Sequence, residues 1–259
     1  NYYLNKINRH KELHDKVEFN IIETCFDLES EKNLLKFLNK KESLKYLNCL
    51  KDLTNDIFNQ KKGNFKKELS KIDKLNQDIQ LIKKSKLSEI HKIYFLINSC
   101  KNLGTLPFSG LARSAFIATK FLRSFVKKNI ISEVELENFY SSINTITNKI
   151  NTELSKIKNV SEKKKFIYNY GHLRPSTYSI SSKNYKENFD NYFSKNEEKF
   201  KKNKKFKLNS NSKKLINHIF KKNKIKTDSK RFINFAAEAI RLREYSKFIF
   251  TKSVDEIFN

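Results

Sequence analysis

Glycine and proline are almost absent from this 259-residue sequence, at 4 and 2 residues, and that scarcity is the first constraint on the fold. Sandwiches and barrels built of short strands need frequent turns with special backbone angles, so a turn-dense β architecture is excluded. The same shortage excludes collagen-like and Gly-rich linker chains. Cysteine is sparse too. Cys25, Cys49 and Cys100 are odd in number and far apart, with neither paired zinc-ligand spacing nor a disulfide framework, and they read as reduced core thiols. Long apolar runs are missing: Ile93 to Cys100 is too short to span a bilayer, and Arg113, Lys120 and Arg123 interrupt the stretch from Pro107 to Val126. No charged-then-apolar leader is read either, so a cytoplasmic location and no membrane partner are expected. Methionine is absent altogether and the chain begins at Asn1, which reads as a fragment of a longer polypeptide.

Lysine is what the sequence has in excess. Lys plus Arg number 54 against 28 Asp plus Glu, a formal net charge of +26. Of the 54, 47 are Lys and 7 are Arg, and 31 Asn accompany them, the pattern that AT-rich codons produce. Much of the charge therefore reads as solvated surface, and a nucleic-acid partner is disfavoured although cations of this number attract phosphates. Lys195 to Lys230 holds 14 Lys against Glu197, Glu198 and Asp228, and reads as a mobile, solvent-exposed insertion or else as a polyanion-binding arm. With 38% apolar residues, 13% of all residues being aromatic, the chain still has ample material for a core.

Apolar spacing points to helices. Leu34, Leu35, Leu38, Leu44, Leu47, Leu50, Leu53 and Ile57 recur every three or four residues, and Phe65, Leu69, Ile72, Leu75, Ile79 and Ile82 continue the rhythm. Gly104 is expected to close a helix over Leu87 to Leu103, and Pro107 to open the next, through about Lys128. Ser132 with Glu135 forms a capping box for one helix running to near Lys158. Ser161 to Tyr170 predicts a short helix stopped by Gly171, and Asp228 to Phe258 a long final one with Phe232, Phe235, Ala239, Leu242 and Phe248 inward. Only Val17 to Phe26 reads as a strand. The expected fold is mainly α, a multi-helix bundle with a short β element near the N-terminus. Its expected parts are a connector with a short strand, or the end of a preceding domain, over 1–29, a helical domain over 30–194, a Lys-rich insertion or linker over 195–227 and, over 228–259, a C-terminal helix expected to lead to a further domain.

Scarce residue types cluster. All six Ala, six of the seven Arg, three of the four Gly and both Pro fall in Gly104 to Phe125, Gly171 to Pro175 and Arg231 to Arg243. Arginine offers oxyanions a planar fork that lysine lacks, so Arg113, Arg123, Arg241 and Arg243 form a candidate basic face. In Tyr170-Gly-His-Leu-Arg-Pro-Ser-Thr-Tyr178, a positive φ at Gly171 and the stiff Pro175 would present His172 and Arg174 on a defined loop able to hold phosphate or carboxylate, or else to tie the loop to helix ends. No Ser-His-Asp, Cys-His or paired-carboxylate arrangement stands out, and no catalytic residue is assigned.

Three stretches, Gly104-Thr-Leu-Pro-Phe-Ser-Gly-Leu-Ala-Arg-Ser-Ala-Phe-Ile-Ala, Tyr170-Gly-His-Leu-Arg-Pro-Ser-Thr-Tyr and Arg243-Glu-Tyr-Ser-Lys-Phe-Ile-Phe-Thr, resemble in order and spacing the central helical region of phosphoenolpyruvate synthase and pyruvate phosphate dikinase-like phosphotransferases. The resemblance implies a helical substrate or docking region between an ATP-grasp domain and a swivelling phosphohistidine domain of the same polypeptide. ATP and magnesium would serve the full-length enzyme, a small molecule would accept the phosphoryl group, and this chain alone would be inactive. His172, Arg174, Arg113, Arg241 and Arg243 would bind substrate or guide docking. His14-Asp-Lys-Val-Glu-Phe19 resembles a late ATP-grasp strand, which would make Glu18 a magnesium ligand. The alternatives from other classes are a basic helical nucleic-acid-binding protein and a helical interaction scaffold.

Overall fold

Three-to-four spacing becomes helix nearly throughout the computed structural model, which describes residues 25–59, 64–175, 181–193 and 206–258. The elements are α1 (Ser30–Leu34), α2 (Lys40–Phe58), α3 (Asn64–Lys84), α4 (Glu89–Ser99), a π segment (Cys100–Thr105), α5 (Leu106–Lys127), α6 (Glu133–Ser142), α7 (Ile146–Leu154), α8 (Val160–Tyr170), α9 (Phe189–Phe193), α10 (Ser210–Lys222) and α11 (Ser229–Phe258). The protein is mainly helical, and no strand occurs among the described residues. The strand expected over Val17 to Phe26 lies outside them except for Cys25 and Phe26, which are not extended into a ladder. No described helix is long and apolar enough to cross a membrane.

Contacts divide the chain into two units, each assembled from separated stretches rather than along the sequential boundaries expected from composition. The first unit holds the described residues up to Lys66, Arg113–Ser141 and 206–239. Its centre is aromatic. Phe58, Phe121, Phe125, Phe220, Phe232 and Phe235 meet edge-to-face or tilted at 4.9 to 6.3 Å between centroids. Each such buried ring contributes about 1.5–3 kcal/mol through lost water contact alone, and the edge-to-face geometry adds to that. Asp27 is buried beside this core, accepting from the Ser30 hydroxyl at 2.5 Å and the Ser124 hydroxyl at 3.0 Å, with Lys120 Nζ 3.8 Å away. Two hydroxyls and a nearby cation satisfy a carboxylate that burial alone would penalise.

The Lys-rich stretch is not wholly an insertion. Its residues 206–227 belong to this unit, and α10 buries Ser212, Ile216 and Phe220 while its lysines face outward. Ser212, Ile216 and Phe220 recur every four residues beneath the lysines, a stripe that charge counting alone overlooks. Two further expectations also change. Cys49 is exposed, while Cys25 and Cys100 are buried thiols. On α2 the inward face runs Ser43, Tyr46, Leu47, Leu50, Thr54 and Ile57, which leaves Leu44 and Leu53 exposed.

The second unit holds Lys67–Ala112 and the described residues of 142–204 and 240–259. Ile72, Leu75, Ile79, Leu96, Cys100, Leu111 and Ile249 are buried in it. Gly104 does not stop a helix here. α4 runs through the π segment into α5, because Pro107 lacks an amide hydrogen and its ring crowds the carbonyl four residues back, and a widened turn relieves that clash without ending the helix. The helix expected over Ser132 to Lys158 is instead two, broken at Ile143 to Thr145, where the Thr145 side chain accepts from Asn148 N and starts α7. A β-branched N-cap competes with helix continuation at that point. The Ser132–Glu135 capping box forms as its sequence demands, with Ser132 N donating to Glu135 at 2.8 Å and Glu135 N to Ser132 Oγ at 3.1 Å.

Two helices in the first unit end without glycine. Asn129 has φ 53° after α5, with Ile130 N donating to Phe125 O and Asn129 N to Val126 O; Lys224 has φ 58° after α10, with Ile225 N donating to Phe220 O and Lys224 N to Lys221 O. Both are Schellman caps with a left-handed residue where glycine is cheapest, and both bury the following isoleucine. A left-handed lysine costs about 1 kcal/mol relative to glycine. Lys224→Gly should therefore raise unfolding stability by about that amount in urea titration, whereas no gain would mean that the cap is not formed in solution.

Candidate functional site

Two of the stretches singled out by residue type reach the last turns of α11 in the second unit, one through Gly104 and Phe108 and the other through His172 and Arg174. Gly104 lies so close to its neighbours that a Cβ would come within 3.0 Å of the Phe250 ring and 3.1 Å of Leu75. Phe108 stacks on Phe250, with 6.0 Å between centroids and planes 12° apart. Two residues earlier on α11, Phe248 receives the Tyr170 ring at 6.0 Å and the His172 ring at 4.7 Å, both edge-on. Aromatic pairs of this geometry fix orientation as well as burying area.

The loop after α8 is held by backbone and side chain together. Gly171 has a φ of −58°, so the positive φ expected there is not used. Space is the requirement instead: a Cβ would collide with the Ile167 carbonyl oxygen and sit 3.1 Å from Lys186 Cβ. Tyr185 N donates to Leu173 O at 2.8 Å and Lys186 N to Gly171 O at 3.0 Å, pinning residues 171–173 against 185–186. Tyr170 donates its hydroxyl to Glu153 at 2.9 Å, and burial together with that carboxylate pushes the phenol up to about 12.

Arg174 is committed inward. Its Nη1 donates to Asp255 Oδ1 at 2.6 Å and to His172 O at 3.4 Å, and its Nε to Ser182 O at 3.0 Å. The side chains of Arg174 and Asp255 are only 16% and 9% exposed. The guanidinium thus ties both arms of the loop to α11, using the multiple donors that lysine lacks. His172 is half-buried, and its Nε2, which is buried, has no hydrogen-bond partner. Burial pushes its pKa down to about 4; Lys252 and Arg174 repel the imidazolium, against a partial opposing pull from Asp255 and the Phe248 backbone. At neutral pH the ring is therefore uncharged, an apolar wedge on Phe248. Burial also lowers Lys252, opposed by Glu256, which itself holds Lys83 at 2.8 Å.

The predicted residues do not converge as a set. His172 and Arg174 form one cluster with Asp255. Arg241 and Arg243 lie a few turns earlier on α11, Arg243 exposed and Arg241 half-buried near Tyr245, which donates to Asp73 at 3.2 Å. Glu244, the residue after Arg243, accepts from Thr147 N and Oγ1 at 3.1 Å and so caps α7. Arg113 and Arg123 are exposed on α5 in the first unit. Glu18 lies outside the described residues, and among those described no three His, Cys, Asp or Glu residues stand together as a metal-ligand group. Sequence reasoning missed Asp255 and Lys252. Their signal was position: with Phe248 they fall at i, i+4 and i+7, one helical face on which an acid and a base accompany an inward aromatic.

Comparison with protein-family models, with curated proteins and with solved structures finds no match to this chain.

Two measurements check the cluster. Arg174→Ala takes the guanidinium from the buried Asp255 carboxylate and should cost about 3–5 kcal/mol, whereas Arg174→Met with Asp255→Leu should recover most of it; a fully additive double-mutant cycle would show the pair uncoupled. His172, with its folded pKa depressed, binds fewer protons than in the unfolded chain between about pH 4 and 6.5. Its contribution is whole above about pH 6.5 and lost as pH falls toward 4, by up to about 3 kcal/mol. His172→Phe should flatten that limb of the stability–pH curve, and an unchanged limb would place the ring in water.

Proposed function

We propose that this chain is the helical substrate or docking region of a multidomain ATP-dependent phosphotransferase that works through a phosphohistidine carrier. One observation carries the reading: of the stretches that bear the family resemblance, those around Gly104 and Gly171 to Arg174 are far apart in sequence and each packs on the third, Arg243 to Thr251, in α11. Residue types that codon drift does not favour are used there for close packing and a buried ion pair. In this reading His172 and Arg174 are positioning residues that hold the loop. Arg243 and Arg113 are exposed, where phosphorylated groups would reach them. ATP and magnesium belong to the ATP-grasp domain of the same polypeptide, the carrier histidine to the swivelling domain, and the acceptor is a small molecule.

A docking role also accounts for α4. Ile90, Ile93, Tyr94 and Ile97 stand at i, i+3, i+4 and i+7 on one face and are all exposed, Ile90 at 79% and Tyr94 at 62%. Such a stripe is the pattern of a helix that meets another surface. The exposed Lys84, Lys86 and Lys101, close to it in sequence, would suit an acidic rim on a neighbouring domain.

The test uses the chain together with the ATP-grasp and phosphohistidine domains that the reading requires. Label from ATP should reach the acceptor only when this chain is present, and stop at phosphohistidine when it is left out. Ile90→Glu with Tyr94→Glu, both at exposed positions, should slow the transfer by about tenfold with the fold intact by circular dichroism. Equal transfer to acceptor without the chain would remove the proposal, and salt-steep binding of arbitrary DNA in its place would favour the nucleic-acid reading.

A further inference from the structure

We propose that the corner between α10 and α11 binds a short phosphate chain, such as inorganic pyrophosphate, tripolyphosphate or the phosphates of a nucleotide. The site lies wholly in the first unit and stands apart from the function proposed above. Its basis is an open cavity of about 390 Å³ lined by Asn217, Lys221, Ile225, Lys226, Thr227, Asp228 and Arg231. Three cations and one carboxylate leave the lining with a net charge of +2.

The carboxylate does not quench the lysines. Asp228 turns both oxygens to one residue, accepting from Arg231 N at 2.9 Å and lying 3.3 Å from Arg231 Nε. Lys221 and Lys226 are exposed, and neither makes a salt bridge among the described residues. Asn217 uses its oxygen on Ser229 N at 2.7 Å, so its remaining hydrogen-bonding group is the donor NH₂. The Thr227 hydroxyl adds a further donor. The lining is thus rich in donors, which suits an oxyanion with many acceptor oxygens better than a cation or a neutral sugar.

The cavity is also built rather than draped. Ile225 is buried beneath it, in the Schellman turn that closes α10. Asn55 clamps that turn from both sides, donating to Lys224 O at 3.1 Å and accepting from Lys226 N at 2.7 Å. The clamp therefore fixes the backbone of the turn between Lys221 and Lys226 before a ligand arrives, which lowers the ordering cost of binding. The Ser229 and Arg231 amides at the start of α11 are already taken by Asn217 and Asp228, so the lysine and arginine side chains supply the charge. The lining is compact, which favours a chain of two or three phosphates over a duplex that would need a long row of cations.

Calorimetric titration of the 259-residue chain at about 0.15 M salt decides the matter, with tripolyphosphate, pyrophosphate, ADP, citrate and a short DNA duplex as probes. Tripolyphosphate should bind one to one, more tightly than pyrophosphate and at least tenfold more tightly than citrate. Lys221→Gln with Lys226→Gln should weaken it by about tenfold or more, and Lys213→Gln with Lys214→Gln, which remove the same charge from the start of α10, by less than about twofold. Both pairs are exposed, so circular dichroism should show the same helix content in each. ADP binding as tightly as pyrophosphate would assign the site to the phosphate chain itself, and tighter ADP binding to a nucleotide. No oligophosphate binding, equal losses from the two lysine pairs, or duplex binding that exceeds tripolyphosphate and ignores Lys221 and Lys226 would each overturn the proposal.

Discussion

A buried guanidinium must find its counter-charge and its acceptors at once, and in this protein Arg174 meets that demand with Asp255 and two carbonyls. Much of the second unit's organisation follows. The acid sits on the last turns of α11, so the loop after α8 must reach that helix, and the carbonyl of Ser182 must come alongside. His172 is carried with the loop onto Phe248, where burial keeps its ring neutral. Such a pair contributes less to net stability than to uniqueness, because each charge forbids alternative packings in which the other is missing.

The first unit answers a different problem. A chain with a formal net charge of +26 repels itself when compact, so its core must offset that cost with surface area that carries no charge. It does so with phenylalanine. Six rings drawn from α2, α5, α10 and α11 interlock, and the lysines of α10 occupy only the outward face of a helix whose other side is buried. Lysine suits this arrangement, since its long stem lets the ammonium stay in water above apolar surface.

Helix existence was readable from apolar spacing, and α5, α8 and α11 fall almost where Pro107, Gly171 and the inward aromatics of the final helix placed them. What spacing could not supply were the breaks and the caps. Asn129 and Lys224 end helices by left-handed geometry that no glycine announces, and Thr145 divides a stripe of isoleucines that is otherwise continuous. The glycines carried true information for another reason than the one assigned: Gly104 and Gly171 are needed for close approach, and neither has a positive φ. For the candidate site, residue scarcity found Arg174 and His172 but not Asp255, because an acid among many surface acids has no distinguishing composition. Only the face it shares with Phe248 marks it.

The widened turn at Cys100–Thr105 acts as a phase shifter. About one additional residue per turn rotates everything after it by roughly 100° relative to a straight α-helix. The apolar side chains before the turn and those after it are therefore out of register, which lets Leu111 point into the interior while Ile90 and Tyr94 point away from it along what is otherwise one continuous rod. A single proline near its middle thereby gives one rod two differently oriented greasy sides.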